Sequence, residues 1–473
     1  MKRTFKRVHD AVTTNFEKQL QETIEIIRLR SVLDEKESTV THPFGPAMSR
    51  SLDDFLERAK KMGFITKNID NSIGYVEIGN GDKLIGILAH LDVVPEGNPK
   101  DWKYPPFSGT IKDDRLYGRG AIDDKGPAMA ALYAMKALKE SGLPLLCRFR
   151  LIIGLDEESG SRCIARYNQT EEQPLFSFSP DSEFPVVNAE KGIIRATVTK
   201  TGQKTDHSFH RAEIQSFIGG DRFNVVPDRA TVFIKCSDTQ KEEIVKMSSG
   251  FEVTQEDNGL SIAAQGIAAH AMEPGKGVNA VQKLIGHLSI LDTWDGESRE
   301  LLHFIHDLSG DGYDGEILGI TMRDDISGML TCNVAALTIE TVGEIKKATL
   351  KLDIRYPVTA NPDLIIENIG KSVARTGGEL TLNTHKKPLY IPESHPVVKI
   401  LLDSYESVTG SAEKPISIGG GTYCRFMPNA VSAGPLFPGE EELAHQANEY
   451  ITLPHLLKCT HIYAEALMRF NDM

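Results

Sequence analysis

The stretch FRLIIGLDEE (149–158) is an apolar run that stops on three consecutive carboxylates. Its length and branched content fit a buried strand from Phe149 to Leu155, which delivers Glu157 and Glu158 at its C-terminal end. The arrangement recurs on both sides. Leu84–Ala89 is strand-like and ends on His90, with Asp92 two residues further on. Ile73–Gly79 is strand-like as well, and Asn80-Gly81 between the two predicts a hairpin. Phe176–Phe178 reads as a short strand that delivers Asp181. Pro127 begins a helix to Lys139, since proline is tolerated in a first turn. The charge of Asp123-Asp124 just before it suits the positive end of the helix dipole. His9–Leu29 and Asp53–Met62 carry apolar residues at helical spacing. Strands alternating with helices predict an α/β layered domain, which places its ligands at strand ends.

The pattern changes near Val187. Ile193–Thr199 alternates like a strand with one solvated face. Leu350–Arg355, a helix over Pro362–Ala374 and a strand over Leu380–Asn383 continue it. This order predicts an α+β domain on an antiparallel sheet. After Lys387 the layered pattern resumes, with helices over His395–Val408 and Pro454–Phe470. The expected architecture is a discontinuous layered domain, 1–186 and 388–473, interrupted by an inserted domain over 187–387.

Seven residues spread over these segments read together as one two-metal hydrolytic site: His90, Asp92, Asp123, Glu157, Glu158, Asp181 and His445. Imidazoles and carboxylates without thiolate suit zinc, manganese or cobalt. A bridging carboxylate can hold two such ions roughly 3.5–4 Å apart. The pair Glu157-Glu158 offers one ligand and one proton carrier. Taken singly, each piece is ordinary: the chain has 14 histidines and 66 acidic residues, and an Asp-Glu-Glu run is usually a solvated turn. The joint placement at strand ends carries the reading.

Composition narrows the setting. At 473 residues and 40% hydrophobic the chain can bury a large core in two or more domains. A net charge of −13 argues against nucleic acid or an anionic membrane as partner. Six dispersed cysteines with no Cys-x-x-Cys suit a reduced, cytoplasmic protein. Met1-Lys2-Arg3 is not followed by an apolar run, so no signal peptide is read. No stretch reaches the ~18 apolar residues of a membrane span.

With these residues in view the chain resembles the dinuclear metallopeptidase family of carboxypeptidase G, aminoacylase and carnosinase, and within it the bacterial PepV-type dipeptidases. The stretches that carry the likeness are HLDVVPEG (90–97), GRGAIDDKGP (118–127), DEESGS (156–161), SPDSEFPVVNAEKG (179–192), NVVP (224–227), AAHAMEPGKGVNA (268–280), DIRYPV (353–358), GGGTY (419–423) and HQANEY (445–450). The resemblance implies a layered zinc-peptidase-like catalytic domain with an inserted α+β lid. It implies that Asp123 bridges two divalent ions, zinc first, with manganese or cobalt as alternatives. His90 and Asp181 would complete one ion's ligands, and Glu158 and His445 the other's. Asp92 would accept a hydrogen bond from the His90 ring and fix its tautomer. Glu157 would be the general base. His270 resembles a lid histidine that stabilises the charged oxygen; flanked by alanines, it otherwise reads as a packed or exposed residue.

Arg355 fits a clamp for a carboxylate because guanidinium offers a fork, with a strand-edge salt bridge as the alternative. Asn224 reads as a substrate contact or a loop residue. Gly419, Gly420 and Gly421 would let backbone N–H groups approach a ligand, or simply form a turn. The expected activity is a metal-dependent dipeptidase that cleaves small peptides with a free C-terminal carboxylate through a metal-bridging water. An N-acyl amino-acid deacylase, a tripeptide aminopeptidase and a non-catalytic binding protein on the same fold are the rivals. The length of the insertion, including Gln203–Asn258 ahead of His270, predicts a monomer whose site is completed by its own lid, with a dimer as the alternative.

Overall fold

The apolar run around Phe149 forms the strand Cys147–Gly154 in the computed structural model, which describes residues 2–202, 211–342 and 345–473. The chain divides into two units. One is Met1–Ala189, Tyr390–Ser417 and Gly421–Met473; the other is Glu190–Leu389 with Ile418–Gly420.

In the first unit a sheet is ordered Ile65–Ile69, Ile73–Ile78, Cys147–Gly154, Lys83–His90, Phe176–Ser179, Ala430–Ser432 and Val187–Glu190. Cys147–Gly154, Lys83–His90, Phe176–Ser179 and Ala430–Ser432 run parallel. Phe149, Leu151, Ile152 and Ile153 are buried, as are Ile85, Ile87 and Leu88 on the next strand. Burial on both faces explains why these strands read as continuous apolar runs. The helix Lys125–Glu140 packs on them and on the helices Lys2–Ile27 and Leu453–Asn471. Arg150 interrupts the apolar run in sequence, and the sheet resolves the conflict. It lies opposite Glu77 in register, pairs with its carboxylate and donates to the Tyr167 hydroxyl at 2.8 Å.

The hairpin expected at Asn80-Gly81 does not form. Ile73–Ile78 runs antiparallel to Cys147–Gly154 while Lys83–His90 runs parallel to it, so the later strand separates the two earlier ones. A buried strand with partners on both edges leaves no backbone group unpaired, which outweighs a local turn signal. The glycines serve a different purpose. A Cβ on Gly79, where φ is 97°, would lie 2.2 Å from the Cys147 carbonyl oxygen, and one on Gly81 would lie 1.8 Å from that of Leu146. They let the connection cross tightly over the start of the inserted strand.

The second unit is built on an antiparallel sheet. Its order is Glu252–Glu256, Gly259–Gln265, Arg229–Lys235, Glu213–Gly219, Thr331–Val342, Ile345–Tyr356, Gly192–Thr201 and Glu379–Lys386. Arg229–Lys235 alternates, with Ala230, Val232 and Ile234 buried. These residues join a core with the helices Ala280–Ser289, Gly296–Ser309 and Pro362–Arg375. The strand–helix–strand reading of 350–383 holds, its elements lying within Ile345–Tyr356, Pro362–Arg375 and Glu379–Lys386, and the mixed α/β and α+β fold class stands. Among the described residues no helix is long and apolar enough to cross a membrane.

Two glycine substitutions test these backbone arguments with opposite signs. Gly81→Ala forces the crossing connection away from Leu146 and is expected to lower stability by about 2 kcal/mol or more, as strained backbone sites do. Gly370→Ala, inside Pro362–Arg375 with open space around its Cβ position, is expected to raise it by roughly 0.5–1 kcal/mol. Thermal melts read both. An unchanged Tm for Gly81→Ala would show that the crossing is not tight.

Candidate metal centre

Three strand ends in the first unit gather the cluster. His90 closes Lys83–His90 and lies opposite Gly154 in register. Glu157 and Glu158 follow Gly154 by a few residues, and Asp181 follows the end of Phe176–Ser179. Asp123 precedes the helix that starts at Lys125, and His445 arrives on the segment before Leu453–Asn471. The His90 ring is buried, with Nε2 3.1 Å from Asp123 Oδ1 and 3.5 Å from Asp181 Oδ2. The other carboxylate oxygen of Asp123 is 3.0 Å from His445 Nε2, which is 2.9 Å from Glu158 Oε2. One carboxylate thus faces two imidazoles. Two triads result, His90–Asp123–Asp181 and Asp123–Glu158–His445, each with its ligand atoms within 4.8 Å of one another.

The residues fit a pair of divalent ions. Each triad offers one imidazole nitrogen and two carboxylates, a donor set suited to zinc, manganese or cobalt. His90 Nε2 is buried, and its approach to Asp123 lacks hydrogen-bond angles, so it has no hydrogen-bond partner. A lone pair aimed at two carboxylates is what a cation between them would use. The charge balance agrees. Burial pushes the Glu158 carboxyl up to about 7 and raises Asp181, and the charge of Asp123 adds to both. Burial also works against charge on the imidazoles. The carboxylates of Asp123, Asp181 and Asp92 nevertheless hold His90 well above its usual range, and Asp123 with Glu158 lifts His445 to about 11. Without a cation, protons fill the places where positive charge is needed.

Glu157 belongs to neither triad. Burial, reinforced by Asp181, Glu158 and Asp92 and opposed by His90, raises its carboxyl well above the carboxylate range. Asp92 touches His90 in two ways. The ring Nδ1 lies 2.9 Å from its backbone carbonyl and 3.4 Å from its carboxylate Oδ1. Its Oδ2 accepts the backbone N–H of Glu158 at 3.0 Å. The nearer partner of the ring is therefore the Asp92 carbonyl, and the carboxylate also holds the turn that carries Glu158.

Other carboxylates organise the site without entering a triad. Asp156 accepts the Arg162 backbone N–H at 2.7 Å, two guanidinium bonds and the Ser159 hydroxyl, which ties down the turn bearing Glu157 and Glu158. Asp124 Oδ2 accepts the His90 backbone N–H at 3.1 Å. Glu449 pairs with Arg119 and accepts backbone N–H groups of the Asp123 loop. Their sequence signal is only adjacency to the ligands, as in Asp123-Asp124 or His445-x-x-x-Glu449. The Tyr423 ring stands edge-on to His90 at 6.2 Å between centroids, and the sequence marked it only as the last residue of GGGTY (419–423).

The remaining candidates belong to the second unit, apart from Gly421. Asn224 and His270 come together there: Val225 bridges to His270, and the Asn224 carbonyl accepts the Ala271 N–H at 2.9 Å. His270 is exposed. Arg355 is buried and heavily engaged. Its Nε and Nη2 donate to the Asp353 carboxylate, and Nη1 donates to the Gly419 carbonyl at 2.7 Å. The salt bridge expected as the alternative is present, and the Nε–Nη2 edge of the fork is taken. Three of its five N–H donors are engaged in this way. The glycine run is divided, with Gly419 and Gly420 in the second unit and Gly421 in the first.

Comparison with known proteins converges on one family. The profile of peptidase family M20/M25/M40 matches residues 86–469. "Putative dipeptidase YtjP" of Bacillus subtilis (strain 168) is 40% identical over 458 residues, covering 95% of this chain and 96% of the relative. "Putative dipeptidase SH1171" of Staphylococcus haemolyticus (strain JCSC1435) is 34% identical over 452 residues, 93% of this chain and 94% of the relative. Among solved structures, the di-peptidase Dug1p from Saccharomyces cerevisiae superposes with a TM-score of 0.59 over 100% of both chains. At 13% identity that likeness shows the fold alone.

Proposed function

The chain belongs to peptidase family M20/M25/M40, and on that premise we propose that it is a two-metal dipeptidase of the PepV type, cleaving dipeptides that carry a free C-terminal carboxylate. The observation that carries this is the pair of triads sharing Asp123, with the half-buried Glu157 next to the ligand Glu158. Relatives named as dipeptidases along nearly their whole length support the substrate class. His90, Asp123 and Asp181 would hold one ion, and Asp123, Glu158 and His445 the other. When bound, two such ions supply Lewis acidity toward a carbonyl oxygen and make water acidic enough to attack at neutral pH.

The chain's own residues carry the proton and place the substrate. Glu157 accepts the proton of the attacking water and returns it to the leaving amine, a task that suits a carboxyl raised by burial. Asp92 keeps the His90 ring oriented and secures the Glu158 turn. The exposed imidazole of His270 donates to the oxygen on which negative charge develops. The remaining N–H donors of Arg355 hold the substrate carboxylate, with Asn224 and the Gly419–Gly421 backbone as further donors.

We infer a monomer completed in cis. The strands 213–265 continue the sheet through the pairing of Phe217–Gly219 with Leu337–Ile339, and His270 follows directly after them. A second four-stranded set within one chain offers the lid surface that a neighbour would otherwise supply. Of the extra stretch noted in the sequence, residues 203–210 lie outside the described residues.

Three measurements test this reading. Protein stripped of metal and reloaded with zinc, manganese or cobalt should turn over dipeptides, and Glu157→Gln should keep its metal while kcat falls at least ~10²-fold. Faster cleavage of N-acetyl amino acids or tripeptides would select one of those activities instead, and near wild-type turnover by a loaded Glu157→Gln would remove the base. Wild type should discriminate strongly against dipeptide amides, and Arg355→Ala should lose most of that discrimination; an unchanged ratio would name another clamp. Mixing His270→Ala with Glu157→Gln should restore no activity, and sedimentation should give the mass of one chain. Regained activity in a stable dimer would overturn the cis arrangement alone.

A further inference from the structure

We propose that Glu449 is a positioning residue that makes formation of the second metal site, Asp123–Glu158–His445, depend on one buried ion pair. The inference rests on the two-ion reading above. Glu449 is fully buried, and its Oε2 takes the Arg119 Nη1 at 2.7 Å. Its Oε1 accepts the backbone N–H groups of Gly120 at 2.9 Å, Ile122 at 3.0 Å and Asp123 at 3.3 Å. Its backbone carbonyl accepts the Gly118 N–H at 3.0 Å. One residue therefore fixes the whole loop that presents Asp123. Arg119 is itself held, with its guanidinium 5.2 Å from the centre of the Trp102 ring and only 2% exposed.

The same residue stands four positions after His445. The neighbouring Asn448 is latched as well, accepting the Lys103 N–H at 2.6 Å and donating to the Asp101 carbonyl at 2.9 Å. The two triads differ in what holds their members. His90 and Asp181 follow directly from paired strands of the sheet. In the second triad only Glu158 has such support, through Asp156 and Asp92. Asp123 and His445 both sit on irregular backbone, and the His445 side chain is 50% exposed. Their shared fixed point is Glu449. Loosening it costs the first triad one supported ligand and the second triad two.

Zinc titration of the stripped protein, read by calorimetry against a competing chelator, tests this. Wild type should bind two ions in resolvable steps, and His445→Ala identifies the step that belongs to the second triad. Glu449→Gln keeps the shape and an acceptor oxygen but removes the charge. The expected result is that second-step affinity falls at least ~10-fold more than first-step affinity, within the range for partners behind metal ligands. Asn448→Ala, at a half-buried position outside the buried pair, should shift the ratio in the same direction by less. If Glu449→Gln fails the thermal melt, Asn448→Ala decides. Equal weakening of both steps, or none, overturns the proposal. Fewer than two ions bound by wild type overturns the two-ion reading and the inference with it.

Discussion

The constraint on which the first unit depends is the partial burial of carboxylates that meet no arginine or lysine among the described ion pairs. Asp123, Glu158 and Asp181 converge on two imidazoles, and the Asp123 carboxylate is shared by both. Removing such groups from water without compensation costs several kcal/mol each. The carboxylates hold both histidines above their usual range, while burial and the charge of Asp123 lift Glu158 to about 7. This arrangement is costly for an apo protein and natural for one that carries cations. The sheet, the loops and the buried structural ion pairs must hold it against that cost.

Parallel strands provide the means. Lys83–His90, Cys147–Gly154 and Phe176–Ser179 run side by side, so their C-terminal ends fall at one edge. His90, the Glu157–Glu158 turn and Asp181 therefore meet although ~90 residues of sequence separate the first from the last. The helix Lys125–Glu140 packs against the same strands and brings Asp123 in at its start. Only His445 depends on a segment that returns after the whole second unit has been made. That long return explains why its loop needs a separate latch.

What the sequence discloses follows from how local each cause is. Apolar runs ending in ligand residues are local, so the strands before His90, Asp156 and Asp181 could be read directly. The helix starting beside Asp123 and the strand over 350–355 were legible for the same reason. Partner choice is not local. Asn80-Gly81 carries a hairpin signal, yet the strand between its flanks comes from residues 147–154. RATVFIK (229–235) alternates cleanly, but nothing in it says that it joins a sheet with 331–356. The fork of Arg355 was visible as a residue type. Its engagement with Asp353 and Gly419 required two further segments to be in place. Glu449 is the extreme case, because its meaning lies in backbone groups about 330 positions away.

A single rule sorts the buried acids by task. Glu77 meets Arg150, Asp156 meets Arg162, Asp353 meets Arg195 and Arg355, and Glu449 meets Arg119. Each of these fixes backbone or a neighbouring strand. Asp123, Glu158 and Asp181 have only histidines as basic partners among the described ion pairs. Asp92 and Asp124 are exceptions: Asp92 is buried and meets only His90 among the described ion pairs, yet holds backbone, and Asp124 is fully buried with no ion pair described. Burial, aided by the charge of Asp181, raises the Asp124 carboxyl well above the usual range. Arginine offers five fixed donors and a permanent charge, which makes a pair that no ion needs to complete. Histidine can give up its proton and turn a lone pair toward a cation. Acids matched with arginine are thus closed, structural contacts, whereas acids matched with histidine are open to exchange of a proton for a metal. In this chain that difference in partner separates the scaffold from the site.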